Sequence, residues 1–199
     1  MNLSRLQRLG ILAALVIVLL GTRTDHFGPL PDATLAVFFL AGLYVGSTRW
    51  VLPLLLLCAV ICDYLVITGS GQSFWAHHCV SVAYWFLVPA YASMWFGGRW
   101  LSQRLRSNLQ GFALTACVLL VAFTLSFIFS NGSFYWLSGR YAAPHWAEFV
   151  ERFAHYYPSY LSTTMSYAGF AALLHLQALL LLRYLPRLRP TSHPIEPSS

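Results

Sequence analysis

Two histidines and a cysteine stand side by side where a polar stretch meets an apolar one. They are His77, His78 and Cys79, within SFWAHHCVSVAYWFLVPAY (73–91). Imidazole nitrogen and thiolate sulfur bind zinc and other transition metals, and a Cys–His pair can also form a nucleophile. The segment is therefore a candidate for metal binding or covalent chemistry, and its spacing decides between them.

A zinc site does not fit this spacing. Structural zinc takes four ligands in a tetrahedron, whereas neighbouring residues on a helix point about 100° apart and do not all reach one ion. The segment also lacks a C-x-x-C or H-x-x-x-H pattern. A zinc site here would need a further ligand such as His26 or Asp63.

A metal that is already held inside a macrocycle needs fewer ligands from the protein. The ring fills the equatorial positions, so the protein supplies one axial ligand, and thiolates suit soft or borderline metals. Metal binding also drives the proton off the thiol. We therefore predict that Cys79 is an axial metal ligand, the alternative being an inert buried thiol.

The composition indicates a protein dissolved in lipid. Of the 199 residues, 58% are hydrophobic and 9% are charged, against about 25% charged in soluble domains. The net charge of +6 comes from twelve arginines, which cluster at the ends of apolar runs and form no basic face. This pattern argues against nucleic-acid binding.

Six apolar runs are long enough to be membrane-spanning helices. They cover residues 6–22, 32–48, 50–68, 79–97, 110–130 and 159–183. The first run could instead be a signal peptide, but no small-x-small cleavage site follows it. We expect a single all-α domain over residues 1–185, with six transmembrane helices in one bundle, and a disordered tail over 186–199.

The arginines predict the orientation of the spans. With six spans, nine arginines fall on the side of the two termini and three on the other, namely Arg23, Arg140 and Arg152. Positive charge favours the cytoplasmic side. Both termini are therefore expected in the cytoplasm.

The long external segment 131–158 is rich in aromatic residues, with nine among its 28. Apolar side chains recur there at helical spacing, at Trp146, Phe149, Val150, Phe153 and Tyr157. This pattern predicts an extra amphipathic helix in the loop before the last span. It could be an interfacial aromatic belt or a lid over a ligand cavity.

Asp63 is the one acidic residue deep in a span, and a carboxylate there is costly unless it is paired or faces water. Its candidate partners are Tyr84, Tyr91, Arg152 or a ligand amide; the alternative is a purely structural contact between helices. Asp32 can cap the second span by accepting amide protons. In the first span, Gly10, Ala13 and Ala14 form a small-residue face for a neighbouring helix or a partner.

Two stretches carry a resemblance to a known family. HFGPLPDATLAVFFLAGLYV (26–45) and HHCVSVAYWFLVPAYASMWFGGRW (77–100) resemble the BtuM family of bacterial cobalamin transporters. These are related to the S components of energy-coupling-factor (ECF) transporters. The resemblance extends over nearly the whole chain and includes the six-span plan.

The resemblance implies an inner-membrane bundle with a corrinoid pocket open to the outside, and a cysteine, here Cys79, as axial ligand to cobalt. His26 would also face that pocket. Members of this group often occur without a dedicated energising module, whereas related S components dock a coupling subunit with two ATPases through small residues. Gly10, Ala13 and Ala14 are the analogous face here. The chain itself has no Walker A motif.

The expected ligand is cobalamin, and a corrin needs aromatic walls with scattered hydrogen-bonding groups. The residues that we expect to supply them are His26, Asp63, Trp75, Tyr84, Trp85, Tyr91, Trp136 and Arg152. We also expect Cys79 to displace the cyano group of cyanocobalamin.

Two other functions stay open. The chain could be an integral membrane enzyme that uses Cys79 as a nucleophile, with a histidine as its base. It could also bind haem, although His175 is the only histidine inside a predicted span.

Overall fold

The computed structural model describes residues 3–24, 30–77, 80–105 and 108–184. Within this part the chain is helical and contains no β-strand. The helices are α1 (Arg5–Arg23), α2 (Thr34–Val45), α3 (Val51–Gly69), α4 (Leu87–Ser102), α5 (Leu109–Phe127), α6 (Ser133–Leu137) and α7 (Trp146–Tyr184). Short 3₁₀ helices cover Phe74–Ala76 and Val82–Phe86.

A π-helical turn, Ile128–Gly132, joins α5 to α6. The two helices therefore form one unbroken helical segment, Leu109–Leu137, and the described chain has six helical segments, as the sequence predicts. The chain divides into two compact units, one up to Ala168 and one from Gly169 onwards. The contacts between elements described below lie within the first unit.

Four helical segments are long and apolar enough to cross a membrane: Arg5–Arg23, Val51–Gly69, Leu109–Leu137 and Trp146–Leu181. Helix α2 is also apolar but has only 12 residues, or about 18 Å against about 30 Å of bilayer hydrocarbon. By helix length and hydropathy the chain is a multi-pass membrane protein.

Polar side chains mark where several helices begin. Ser4 and Gln7 form a capping box at the start of α1, and Asn108 accepts the Gly111 amide at the start of α5. Asp32 accepts the amide proton of Thr34, the first residue of α2, with N and Oδ1 2.8 Å apart. The predicted role of Asp32 is thus confirmed. Each cap satisfies an amide that has no partner within its own helix.

Glycines allow α2 and α4 to pack backbone against backbone. A Cβ atom on Gly42 would overlap the carbonyl of Trp95, and one on Gly98 would overlap the carbonyl of Phe39. One turn before Gly42, the ring of Phe38 stacks on that of Tyr91 with centroids 4.6 Å apart. Phe38 and Tyr91 are 53 residues apart in the sequence, as are Gly42 and Trp95, so α2 and α4 run parallel.

The other contacts fix the directions of the remaining segments. Arg8 Nη1 donates to Ser47 Oγ at 2.8 Å, which brings the start of α1 to the end of α2. At the opposite end, Arg23 of α1 pairs with Asp63 of α3. The first three helices therefore alternate in direction, as the six-span plan requires.

The aromatic segment before the last predicted span is helical, but it is not a separate helix. Helix α7 runs without interruption from Trp146 to Tyr184 and contains Pro158. Pro158 removes one backbone donor, but the helix continues through it. The expected extra helix and the predicted last span are therefore parts of one helix, which corrects the prediction. At 39 residues, α7 is about 58 Å long, which exceeds the hydrocarbon thickness.

The predicted apolar face of this segment packs on α5. Phe153 contacts Phe127 with ring centroids 4.9 Å apart, and Tyr157 contacts Phe123 at 5.2 Å. The Tyr157 hydroxyl also lies 2.7 Å from Thr124 Oγ1. The first half of α7 therefore runs antiparallel to α5.

Candidate functional site

A buried ion pair lies at the end of the bundle that is predicted to face outwards. Arg23 ends α1, and its Nε and Nη2 donate to the two oxygens of Asp63 on α3, each at 2.7 Å. Arg23 is 6% exposed and the Asp63 side chain 15%. Such a two-point contact is among the strongest that an arginine makes, and it meets the high cost of a carboxylate at this depth.

The remaining donor of Arg23 extends the network to two more helices. Its Nη1 donates to Thr34 Oγ1 at 3.1 Å on α2 and to Tyr91 Oη at 3.0 Å on α4. Asp32 Oδ2 lies 3.7 Å from the same nitrogen. One guanidinium therefore connects α1, α2, α3 and α4.

Asp63 also holds the connection between α3 and α4. The hydroxyl of Tyr84, in the second 3₁₀ helix, donates to Asp63 Oδ2 at 2.7 Å. Of the partners predicted for Asp63, Tyr84 is thus a direct one, whereas Tyr91 reaches it only through Arg23. The main partner is Arg23, which the sequence analysis placed only among the external charges.

A cavity of about 360 Å³ lies beside this network, between α3 and the start of α4. Three of the predicted binding residues line it, namely Tyr84, Trp85 and Tyr91, together with Arg23. The rest of the wall is apolar and comes mainly from α3 and α4. The hydroxyls and the guanidinium are hydrogen-bonded within the Asp63 network, so the surface that faces the cavity is almost wholly apolar.

Trp75 is close to this region but points largely into open space. Its ring meets that of Phe74 at 5.3 Å, and Phe74 in turn contacts Tyr84 at 6.2 Å. Trp75 is 82% exposed and Trp85 is 75% exposed. Two large aromatic surfaces therefore stand uncovered on the connection between α3 and α4.

Trp136 and Arg152 belong to a different cluster, formed by α6 and the start of α7. The ring of Trp136 contacts that of Trp146 at 5.0 Å. The Arg152 guanidinium lies 4.8 Å from the Tyr141 ring centroid and 5.4 Å from that of Tyr156. Arg152 therefore makes cation–π contacts here rather than the predicted contact with Asp63.

The predicted metal ligand is not among the described residues. Cys79 and His26 lie outside them, as do His78 and the tail 186–199. The residues on either side of positions 78 and 79 are described: the Val80 amide donates to the His77 carbonyl at 2.8 Å. Elsewhere in the described chain no group of three His, Cys, Asp or Glu side chains could hold a metal ion.

The three described cysteines are unpaired thiols. Cys62 is buried, Cys58 is half-buried and Cys117 is exposed. All three lie within apolar helices, as predicted, where cysteine behaves as a small hydrophobic side chain.

Helices and network together define the class of protein, a multi-pass membrane protein with a buried ionic cluster at one end of its helices. No family model and no curated protein matches the chain.

Proposed function

We propose that this chain is a membrane transport subunit for cobalamin uptake. It binds the corrinoid at its external face, with the Cys79 thiolate as axial ligand of cobalt, and carries it inwards across the inner membrane. We infer the ligand from the resemblance of residues 26–45 and 77–100 to the BtuM family. The multi-pass helical architecture is the one that such a role needs.

The anchoring of the segment between α3 and α4 is the observation that carries the proposal. Tyr84 is tied to Asp63, and Asp63 is tied to Arg23. Position 79 lies five residues before Tyr84, within the same connection. A metal ligand is effective when the element that carries it is held rigidly, and the 3₁₀ helix Val82–Phe86 that follows position 79 is held by the hydrogen bond from Tyr84 to Asp63.

The uncovered aromatic surfaces suit a corrin ring. Trp75 and Trp85 flank position 79 in the sequence and are both largely exposed. A corrin is a wide apolar plate with amides around its edge, and pockets for such ligands combine aromatic walls with a few polar groups. Asp63, Tyr84 and Tyr91 supply polar groups nearby, and His26, Trp136 and Arg152 complete the proposed set.

Coordination by a thiolate would also remove cyanide from cyanocobalamin. A sulfur–cobalt bond forms, the cobalt–cyanide bond breaks, and the thiol proton leaves with the cyanide or goes to solvent. Cobalt stays in the same oxidation state, so the exchange needs no reductant. In this step Cys79 replaces a ligand and releases a proton, as metal-binding thiols do.

An optical titration tests the proposal. Purified protein incubated with cyanocobalamin should bind cobalt and shift the absorbance spectrum of the vitamin. Cys79→Ala and Cys79→Ser should abolish the shift and weaken binding. Cys117→Ala, which removes an exposed thiol from α5, is the matched control and should behave as the parent protein.

Two results would overturn this reading. An unchanged spectrum in the Cys79→Ala protein would remove the axial ligand. Absence of bound cobalt in the parent protein would remove cobalamin altogether.

The exposed face of α1 is the proposed docking surface for an ECF-type coupling subunit. Gly10, Ala13 and Ala14 are exposed, and no atom lies within 4 Å of a Cβ built on Gly10. Small residues let a second helix approach closely. Ala14→Trp should abolish co-purification of such a subunit while leaving the cobalamin spectrum unchanged.

A further inference from the structure

A second, larger hollow lies on the side of the bundle between α4 and α5. The two helices touch where Gly97 meets Ala122: a Cβ on Gly97 would lie 2.7 Å from that of Ala122. Small residues, including Ala92 and Ser93, form the floor. Phe96, Trp100, Leu125 and Phe129 stand along the edges, so that the helices enclose an apolar groove of about 600 Å³.

The groove has the length of one leaflet of a bilayer. Along α4 its lining runs from Pro89 to Trp100, which is about 16 Å at the rise of an α-helix. The hydrocarbon core of a bilayer is about 30 Å thick. Phe96 and Trp100 are 57% and 44% exposed, so the groove is open to a ligand from the surrounding membrane.

Positive charge collects where the groove ends at Trp100. Arg104 lies with its guanidinium carbon 4.1 Å from the Trp100 ring centroid, whereas the Cβ of Arg99 faces Gly46 at the end of α2. The sequence has no aspartate or glutamate between residues 64 and 147. The described salt bridges lie elsewhere and involve Arg23 and His145. Arg104 is therefore free of any described salt bridge and is available to an external anion.

We propose that this groove binds one anionic phospholipid of the surrounding bilayer. One acyl chain lies on the floor formed by Ala92, Gly97 and Ala122, and the headgroup phosphate pairs with Arg104. Basic sites between transmembrane helices hold anionic headgroups in this way. The aromatic side chains along the edges of the groove give the acyl chain contacts that two helices without such side chains would lack. This site is independent of the cobalamin site.

Native mass spectrometry of the delipidated protein tests the proposal, with phosphatidylglycerol and phosphatidylcholine of identical acyl chains as probes. The parent protein should retain phosphatidylglycerol about fivefold more than phosphatidylcholine, the preference expected from one arginine near the surface. Arg104→Gln should bring the two lipids close to parity. Val121→Trp, which fills the groove, should remove both adducts.

Two control variants match these changes. Arg140→Gln removes an exposed arginine at the other end of the bundle, and Leu120→Trp adds a tryptophan next to the groove but outside its lining. Both should retain the lipid as the parent does. Equal retention of the two lipids by the parent protein would overturn the proposal, as would full retention by Val121→Trp.

A second readout does not depend on the variants folding. Cys117 lies in the groove wall and is exposed. Bound phosphatidylglycerol should slow its reaction with a maleimide, as followed by peptide mass spectrometry, and unchanged reactivity would contradict the site. A dimer that Val121→Trp dissociates, with lipid adducts unchanged, would assign the groove to a second copy of the chain.

Discussion

Arg23 is the residue on which the outer end of the bundle depends. Its guanidinium has five N–H donors, and the hydrogen bonds above use four of them on Asp63, Thr34 and Tyr91. A lone charge at this depth would cost several kcal/mol. With the carboxylate held at two points and Tyr84 donating to the same carboxylate, the pair is stable only as a unit.

The sequence predicts half of this cluster. Asp63 stands out because a carboxylate inside an apolar run requires a partner, and Tyr84 was among the candidates. Arg23 is not distinguished in the same way, since an arginine at the end of a span is normally a topology signal. Only the packing of α1 against α3 shows that it turns inwards.

Removing one member of the pair should be more harmful than removing both. Arg23→Met leaves Asp63 buried and unpaired, and should lower the free energy of unfolding by about 3–5 kcal/mol. The double variant Arg23→Met/Asp63→Leu should recover most of that loss, because a buried ion pair is often replaceable by apolar side chains. Denaturation in detergent, followed by tryptophan fluorescence, measures both.

The control for this cycle is Arg140→Gln, which removes an exposed arginine from the same end of the bundle. Its effect should be within about 0.5 kcal/mol. A double variant as unstable as Arg23→Met would show that the two side chains act separately.

At the scale of the helices, the contact between α2 and α4 depends on two positions that have no side chain, Gly42 and Gly98. Without side chains at Gly42 and Gly98, the two backbones approach until Trp95 and Phe39 carbonyls fill the space. Close backbone packing through small residues is the usual way for helices to associate in lipid, where the hydrophobic effect does not drive them together.

Gly98→Ala should therefore separate α2 from α4. The added methyl overlaps the Phe39 carbonyl, which is backbone and does not move aside, so the free energy of unfolding should fall by about 1–3 kcal/mol. Gly21→Ala is the matched control, since nothing lies within 4 Å of a Cβ at that helical position. That variant should be neutral or gain up to about 1 kcal/mol from better helix propensity. Thermal unfolding of the two proteins side by side makes the comparison, and equal stability would contradict it.

Two of the helices follow closely from the apolar runs, whereas α4 (Leu87–Ser102) begins eight residues after the start of the predicted span 79–97. The predicted spans 6–22 and 50–68 agree with Arg5–Arg23 and Val51–Gly69 to within one residue at each end. Helix α7 departs from its prediction because local pattern does not show whether Pro158 breaks a helix or is carried within it. The aromatic contacts of Phe153 and Tyr157 with α5 lie on the N-terminal side of that proline and continue to Tyr160 beyond it.

At the scale of the whole molecule, the charges are divided between the two ends of the helices. The described ion pairs all lie at the end of Arg23 and Glu148, whereas the arginines at the other end, such as Arg8, Arg99 and Arg104, have no acidic residue in any described salt bridge. Positive charge resists translocation across a membrane, so we predict that this end stays in the cytoplasm.

Reporter fusions test this orientation. A fluorescent protein fused after Ser199 should fold and fluoresce in the cytoplasm. An alkaline phosphatase inserted at Gly139, an exposed loop residue with φ of 71°, should be active outside. Arg99→Gln combined with Arg104→Gln should weaken this bias, because it removes two charges close to a span. Arg140→Gln combined with Arg152→Gln should preserve it, since those charges lie on the translocated side. Phosphatase activity from a fusion after Ser199 would reverse the assignment, and the proposed external position of Cys79 would be lost with it.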